Sequence, residues 1–156
     1  MRFLKPLIYK WLFNLSPAYR GSGARVMNIS DDFHEVKIQL KLSWKTKNHM
    51  GMIWGGSLYS ALDPMYGVML HKILGDKFHV VDKSASIQFK RPGLKDLYAH
   101  FKIDKEEIKK IKHKLKDNFK LDRVYTIDLK DKNDVVYASC EKMVHIRHKK
   151  FEAAKC

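Results

Sequence analysis

Asn48-His49-Met50-Gly51-Met52-Ile53-Trp54-Gly55-Gly56-Ser57-Leu58-Tyr59-Ser60-Ala61-Leu62-Asp63 is the stretch on which the fold turns. Charged residues make up 31% of the chain, yet between Lys47 and Lys72 only Asp63 carries a formal charge. From Gly56 to about Leu74 the pattern is helical: Leu58, Leu62, Met65, Met69 and Ile73 recur at helical spacing, and Ala61, Tyr66 and Val68 make the segment apolar on most sides. A helix hydrophobic nearly all round is a buried one. Pro64 is its irregularity, because proline brings no backbone donor and disfavours helical geometry at the residue before it.

A lone carboxylate in such a run is costly to desolvate unless something compensates it. Two readings stand side by side. Asp63-Pro64 has the form of an N-cap followed by proline at the first helical position. Alternatively Asp63 is a working acid or base. Ahead of it, Gly55-Gly56 can turn bare backbone N–H groups towards a ligand at a helix start, or simply make a tight turn. With the amide of Asn48, these are parts that ester or thioester hydrolysis can use.

Downstream the period changes to two. Ala85, Ile87 and Phe89 alternate with polar residues before Arg91-Pro92-Gly93, and Leu97, Ala99, Phe101 and Ile103 do the same. Residues 104–116 read as a surface helix with a thin apolar stripe (Ile108, Ile111, Leu115), opened by Asp104 with Glu107 in capping-box spacing. Two closing strands, Val124 to Leu129 and Val135 to Ile146, flank a turn at Asp131–Asp134. The tail after His148 reads as frayed. Upstream, Val36, Ile38, Leu40 and Leu42 oppose Glu35, Lys37, Gln39 and Lys41, forming a hairpin with a strand in which Arg25, Met27 and Ile29 alternate. Before it, Met1 to Leu15 forms a helix with Leu4, Ile8, Trp11, Leu12 and Leu15 on one side. It is too short and too charged to span a bilayer. It either lies on a membrane surface or packs over the end of a sheet.

The chain's 156 residues make one domain with a core of its own. The expected division is an amphipathic helix over 1–15 and a single domain over 16–150. Two cysteines offer no disulfide framework and no metal-ligand spacing, which suits a reducing cytoplasm; His145 and His148 lack a third ligand. Thirty-one Lys plus Arg against 17 Asp plus Glu give a formal charge of +14. That field attracts nucleic acid, acidic membrane or a polyphosphate such as coenzyme A. Lysines are spread along the chain with no RNA-binding signature or zinc-finger spacing, which argues against nucleic acid.

The order of elements is that of an α+β domain: an antiparallel sheet of five to six strands around one buried helix. At this point the chain resembles the hotdog-fold thioesterases, in particular the phenylacetate-degradation type and an uncharacterised DUF4442-like clade close to it. That group carries Asn-x-x-Gly-x-x-His-Gly-Gly and, after six further residues, an acid in the helix. Asn48, Gly51, Gly55, Gly56 and Asp63 fit that spacing. Ser84-Ala85-Ser86-Ile87-Gln88-Phe89-Lys90-Arg91-Pro92-Gly93 resembles the strand and turn that follow the helix. Where the group has histidine, this chain has Trp54, which leaves hydrolysis open and argues against the hydratase and dehydratase branches.

The resemblance implies an acyl-CoA thioesterase with no cofactor. Asp63 would be general base or nucleophile, the Gly56 N–H would polarise the thioester carbonyl, and Asn48 would orient water or the loop. Gly55, Trp54, Lys90, Arg91, Met65 and Tyr66 would contact substrate. Lys90 and Arg91 would meet coenzyme A phosphates, and Met65, Met69 and Tyr66 would line an acyl pocket. On their own, Lys90-Arg91 also reads as a basic strand end and the methionines as core. The assembly implied is a homodimer or homotetramer with active sites shared between subunits. The competing functions are acyl-CoA or fatty-acyl binding without turnover, and a basic surface for membrane or nucleic acid.

Overall fold

The computed structural model describes residues 4–151; Met1–Phe3 and the end of the tail, 152–156, lie outside it. Helices α1 (Leu4–Leu15) and α2 (Pro17–Gly21) lead into strands β1 (Ala24–Ile29) and β2 (Glu35–Leu40). Helices α3 (Gly55–Leu62) and α4 (Met65–Leu74) follow, then β3 (Phe78–Phe89), β4 (Leu97–Lys102), α5 (Lys105–Asp117), β5 (Lys120–Lys130) and β6 (Val136–His148). The six strands form one antiparallel sheet in the order β1-β2-β4-β5-β6-β3. This is the α+β hotdog architecture.

The strand alternation decides which side chains meet. Val36 lies opposite Phe101, Ile38 opposite Ala99 and Leu40 opposite Leu97, all buried. On the other half, Ile127 faces Cys140 and Leu129 faces Ala138. Against this surface lie α3 and α4, whose Ala61, Leu62, Met65, Tyr66, Met69 and Leu70 are all buried. Each large apolar side chain so placed contributes about 1.5–3 kcal/mol.

The buried helix is not continuous. It breaks at Asp63-Pro64 into α3 and α4, because Pro64 has no N–H to give the carbonyl four residues back. Asp63 still donates its N–H to Tyr59 O at 3.1 Å, and Val68 restarts the ladder on Pro64 O at 3.1 Å.

The two sheet edges are treated differently. Along β1, Asn14 of α1 accepts from the Val26 N–H at 2.8 Å and donates to the Val26 carbonyl at 3.0 Å, satisfying main-chain groups at the edge. Through the middle of strand β3 no such cover occurs among the described residues. Phe78 to Val80 are half-buried beside α4, but Val81 to Ser86 are exposed whichever face they point to. Ala85 and Phe89, which the alternation directs to a core, are exposed and Ile87 is only half-buried. β3 is one of the sheet's two edge strands and pairs only with β6.

Candidate active site

Asn48 sits in a clip of loop between β2 and α3. Its N–H bonds to Met52 O at 2.8 Å, its carbonyl accepts from Gly51, and its side-chain oxygen accepts from the N–H groups of Met50 (2.9 Å) and Met52 (3.2 Å). Gly51, at φ +76°, supplies the left-handed conformation this turn needs. The clip is fastened by Trp54 N–H to Thr46 O (2.8 Å) and Ile53 N–H to Gly93 O (2.9 Å). With its oxygen occupied, Asn48 has its amide N–H group as the remaining donor.

The clip delivers the chain into α3 with Trp54 as N-cap, making no side-chain cap bond. The intrahelical ladder opens at Leu58 N–H to Trp54 O, 3.2 Å, so the N–H groups of Gly55, Gly56 and Ser57 precede it. Aromatic rings explain why both glycines are small. A methyl group on Gly55 would press on Phe89 at 3.1 Å, and one on Gly56 would overlap the Trp54 indole. The indole thus lies across the start of the helix. Beside it a cleft of about 350 Å³ is lined by Asn48, Gly55, Phe89, Lys90 and Arg91 among others. Lys90 and Arg91 are held there by their backbones, both donating to Tyr137 O.

Asp63 lies at the other end of α3, as its C-cap. It is not the N-cap of α4; that position is Pro64. Its Oδ1 accepts from Tyr59 Oη and from Lys142 Nζ, both at 2.8 Å. Lys142 also donates to the Asp63 carbonyl and to Asp82 Oδ2 at 2.6 Å. Three donors therefore meet three acceptors. Lys142 is wholly buried, whereas the Asp63 and Asp82 side chains are 44% and 26% exposed. Asp82 reaches Lys142 from β3 next to a register shift between Asp82 and Ser84, an irregularity of the kind that re-aims side chains. Burial, then the hydrogen bond to Asp63, pushes the Tyr59 phenol up to about 12, so it stays a neutral donor.

The carboxylate isolated in sequence is therefore paired in space. Asp82 and Lys142 carry no motif, but Lys142 had a signal: Ala138, Cys140, Lys142, Val144 and Ile146 share one strand parity, and the other four are apolar. A lysine on an inward-facing row needs an anionic partner.

The structure brings Asn48, Gly55, Lys90 and Arg91 to one cleft and sets Trp54 and Gly56 beside it. It does not bring Met65, Met69 and Tyr66 there. Met65 and Met69 are core. Tyr66 stacks on Tyr125 at 4.6 Å, donates to Thr126 O at 3.3 Å and borders a separate hollow of about 780 Å³ between β4 and β5. No cluster of three or more potential metal ligands occurs among the described residues; His145 instead pairs with Asp122.

The family described as domain of unknown function (DUF4442) matches residues 5–146. PA5026 of Pseudomonas aeruginosa, a protein of unknown function and probable thioesterase, superposes with a TM-score of 0.81 at 19% identity, covering 91% of this chain and 95% of that one. Thioesterase HI1161 of Haemophilus influenzae gives 0.66 at 11%, covering 90% and 88%. The PaaI protein of the E. coli phenylacetic acid degradation operon gives 0.63 at 14%, covering 92% of each chain. No curated protein matches the sequence. At these identities the superpositions establish the hotdog fold.

Proposed function

The chain belongs to the DUF4442 family, and on that premise we propose that it hydrolyses acyl thioesters, acyl-CoA above all. The observation that carries this reading is the grip on Asp63. Tyr59 and Lys142 hold Oδ1, while Oδ2 takes no hydrogen bond among the described residues and the side chain is 44% exposed. A carboxylate fixed by one oxygen and open at the other is prepared to orient and deprotonate water.

In the reaction, Asp63 Oδ2 takes a proton from water as the water oxygen attacks the carbonyl carbon. The electron pair moves to the carbonyl oxygen, which the Gly56 N–H of a second copy of the chain stabilises at the positive end of its α3. Collapse of this oxyanion breaks the C–S bond, and the thiolate recovers the proton from Asp63. The products are a carboxylic acid and a thiol. Lys90 and Arg91, on the cleft wall, attract the coenzyme A phosphates.

One observation favours a second reading. The Trp54 indole fills the space a side chain on Gly56 would take, beside the amide that the reaction would use. A chain so covered would bind acyl-CoA without turning it over.

The test is thiol release from a panel of acyl-CoA esters and nucleotide-free acyl thioesters. Turnover should fall about 100-fold or more in Asp63→Asn, the scale of a lost general base. Unchanged turnover in that variant removes Asp63 from the chemistry. Ligand-induced stabilisation without turnover, together with a rate gained in Trp54→His, would establish the binding reading.

A further inference from the structure

Helix α1 is two-faced, and its more apolar face points away from the protein. The inward face is held by Tyr9, edge-on to Phe33 at 5.5 Å, by Phe13 against Tyr19 at 5.5 Å, and by Asn14 on β1. The outward stripe is Leu7, Ile8, Trp11, Leu12 and Leu15, each at least 50% exposed. Successive members are one or three residues apart and alternate members, such as Ile8 and Leu12, are four apart, so they make one continuous band. Of the two readings of this helix, packing against the sheet is made by its other face, while Ile8, Trp11, Leu12 and Leu15 stay exposed and the side chain of Leu4 lies outside the described residues. Soluble surfaces rarely leave such a band uncovered without a partner for it.

We propose that this band docks α1 flat into the surface of an anionic phospholipid bilayer. Charge selects the occupant. Residues 1–30 contain Arg2, Lys5, Lys10, Arg20 and Arg25 and no Asp or Glu, and the whole chain carries +14. A second copy docked by the same face would bring two basic segments together, which repel. An acidic membrane neutralises them. The composition agrees, since an indole is suited to the boundary between headgroups and acyl chains. Twelve residues at ~1.5 Å each reach about 18 Å, short of a bilayer, so the helix lies in the plane. Among the described residues no helix is long and apolar enough to cross a membrane. The inference stands on α1 alone and is independent of the hydrolase reading.

The test is sedimentation of the full chain with vesicles of phosphatidylcholine alone or mixed with phosphatidylglycerol. The protein should pellet with the acidic vesicles, and added salt should release it. In a Trp44→Phe, Trp54→Phe background, Trp11 emission should shift to the blue on those vesicles only. Ile8→Glu with Leu12→Glu should weaken partitioning about tenfold or more. Ile8→Ser with Leu12→Ser should weaken it too, which covers the case in which the glutamates disturb folding. A chain that stays in the supernatant with acidic vesicles overturns the proposal. So does binding undiminished in both pairs of variants, or a soluble oligomer that these variants dissociate.

Discussion

Lys142 is the residue on which the site rests. It is wholly buried, and its partners Asp63 and Asp82 come from a helix end and an edge strand. Removing one partner of a buried charge group costs about 3–5 kcal/mol when the remaining charge is sealed from water. Here the two carboxylates are 44% and 26% exposed, so Lys142→Met should cost less, on the order of 2 kcal/mol. It should also depress thiol release, because Asp63 Oδ1 keeps only Tyr59. Urea denaturation reads the first effect and the acyl-CoA assay the second. Restoring stability in Lys142→Met by adding Asp82→Asn, without restoring turnover, would separate the charge balance from the orientation of Asp63. Full activity in Lys142→Met would mean the grip on Asp63 is structural only. The sequence exposed Asp63 plainly, because a lone charge in an apolar run is a local anomaly. It hid the pairing, because Lys142 stands 79 positions away and only the fold joins the two.

At the scale of elements, local patterns told the truth where a single face decided the outcome. Strands β2 and β4, helix α5 and the β5–β6 pair lie where the alternation and helical spacing put them, whereas in β1 the row Arg25, Met27, Ile29 is broken by a register shift between Val26 and Asn28 that leaves Met27 exposed and Val26 buried. The exceptions come from competition that periodicity does not register. Asp104 is the N-cap of α5 but makes no side-chain cap bond. Glu107 instead takes both Arg123 Nε and Nη2 at 2.7 Å and the Tyr125 hydroxyl at 3.1 Å. A bidentate charged pair is stronger than a cap to the backbone, so Glu107 ties α5 to β5. The same Tyr125 stacks on Tyr66, joining α4 to the sheet. Burial pushes the Tyr66 phenol up to about 12 from an ordinary 10.0, and Tyr19 and Tyr125 also upward. A proton retained in the folded state but shed by the unfolded chain means stability falls with pH. The contribution is complete below pH 10 and is lost as pH approaches 12; for Tyr66 it is on the order of 2–3 kcal/mol. Urea midpoints measured across that window should fall more steeply in the wild type than in Tyr66→Phe. Parallel curves would show that Tyr66 does not carry the effect.

For the whole molecule, one chain cannot bring its own Gly56 and Asp63 to a single carbonyl. Both belong to α3 or its C-cap, and seven steps at ~1.5 Å separate them by about 10 Å along the axis. A thioester carbon has to sit roughly 3 Å from the attacking atom with its oxygen on the amide. The break at Pro64 comes after Asp63 and does not shorten that span. A second copy related by a two-fold axis removes the difficulty, since Asp63 of one chain then approaches Gly56 of the other. The exposed β3 edge is suited to such a contact. It is 12 residues long and open on both faces through its middle, the condition that strand edges are built to avoid unless they pair. Asp82 lies on that strand, so pairing there brings the Asp63–Lys142–Asp82 cluster to the subunit boundary. Co-assembly tests this. A chain carrying Asp63→Asn and a chain carrying Asn48→Ala should each be inactive alone. Their heterodimer should regain one working site of two, formed from the intact Asp63 and the intact Asn48. A mixture that stays inactive while heterodimers form, or an active monomer, would refute the shared site and require Asp63 to find its oxyanion donor within its own chain.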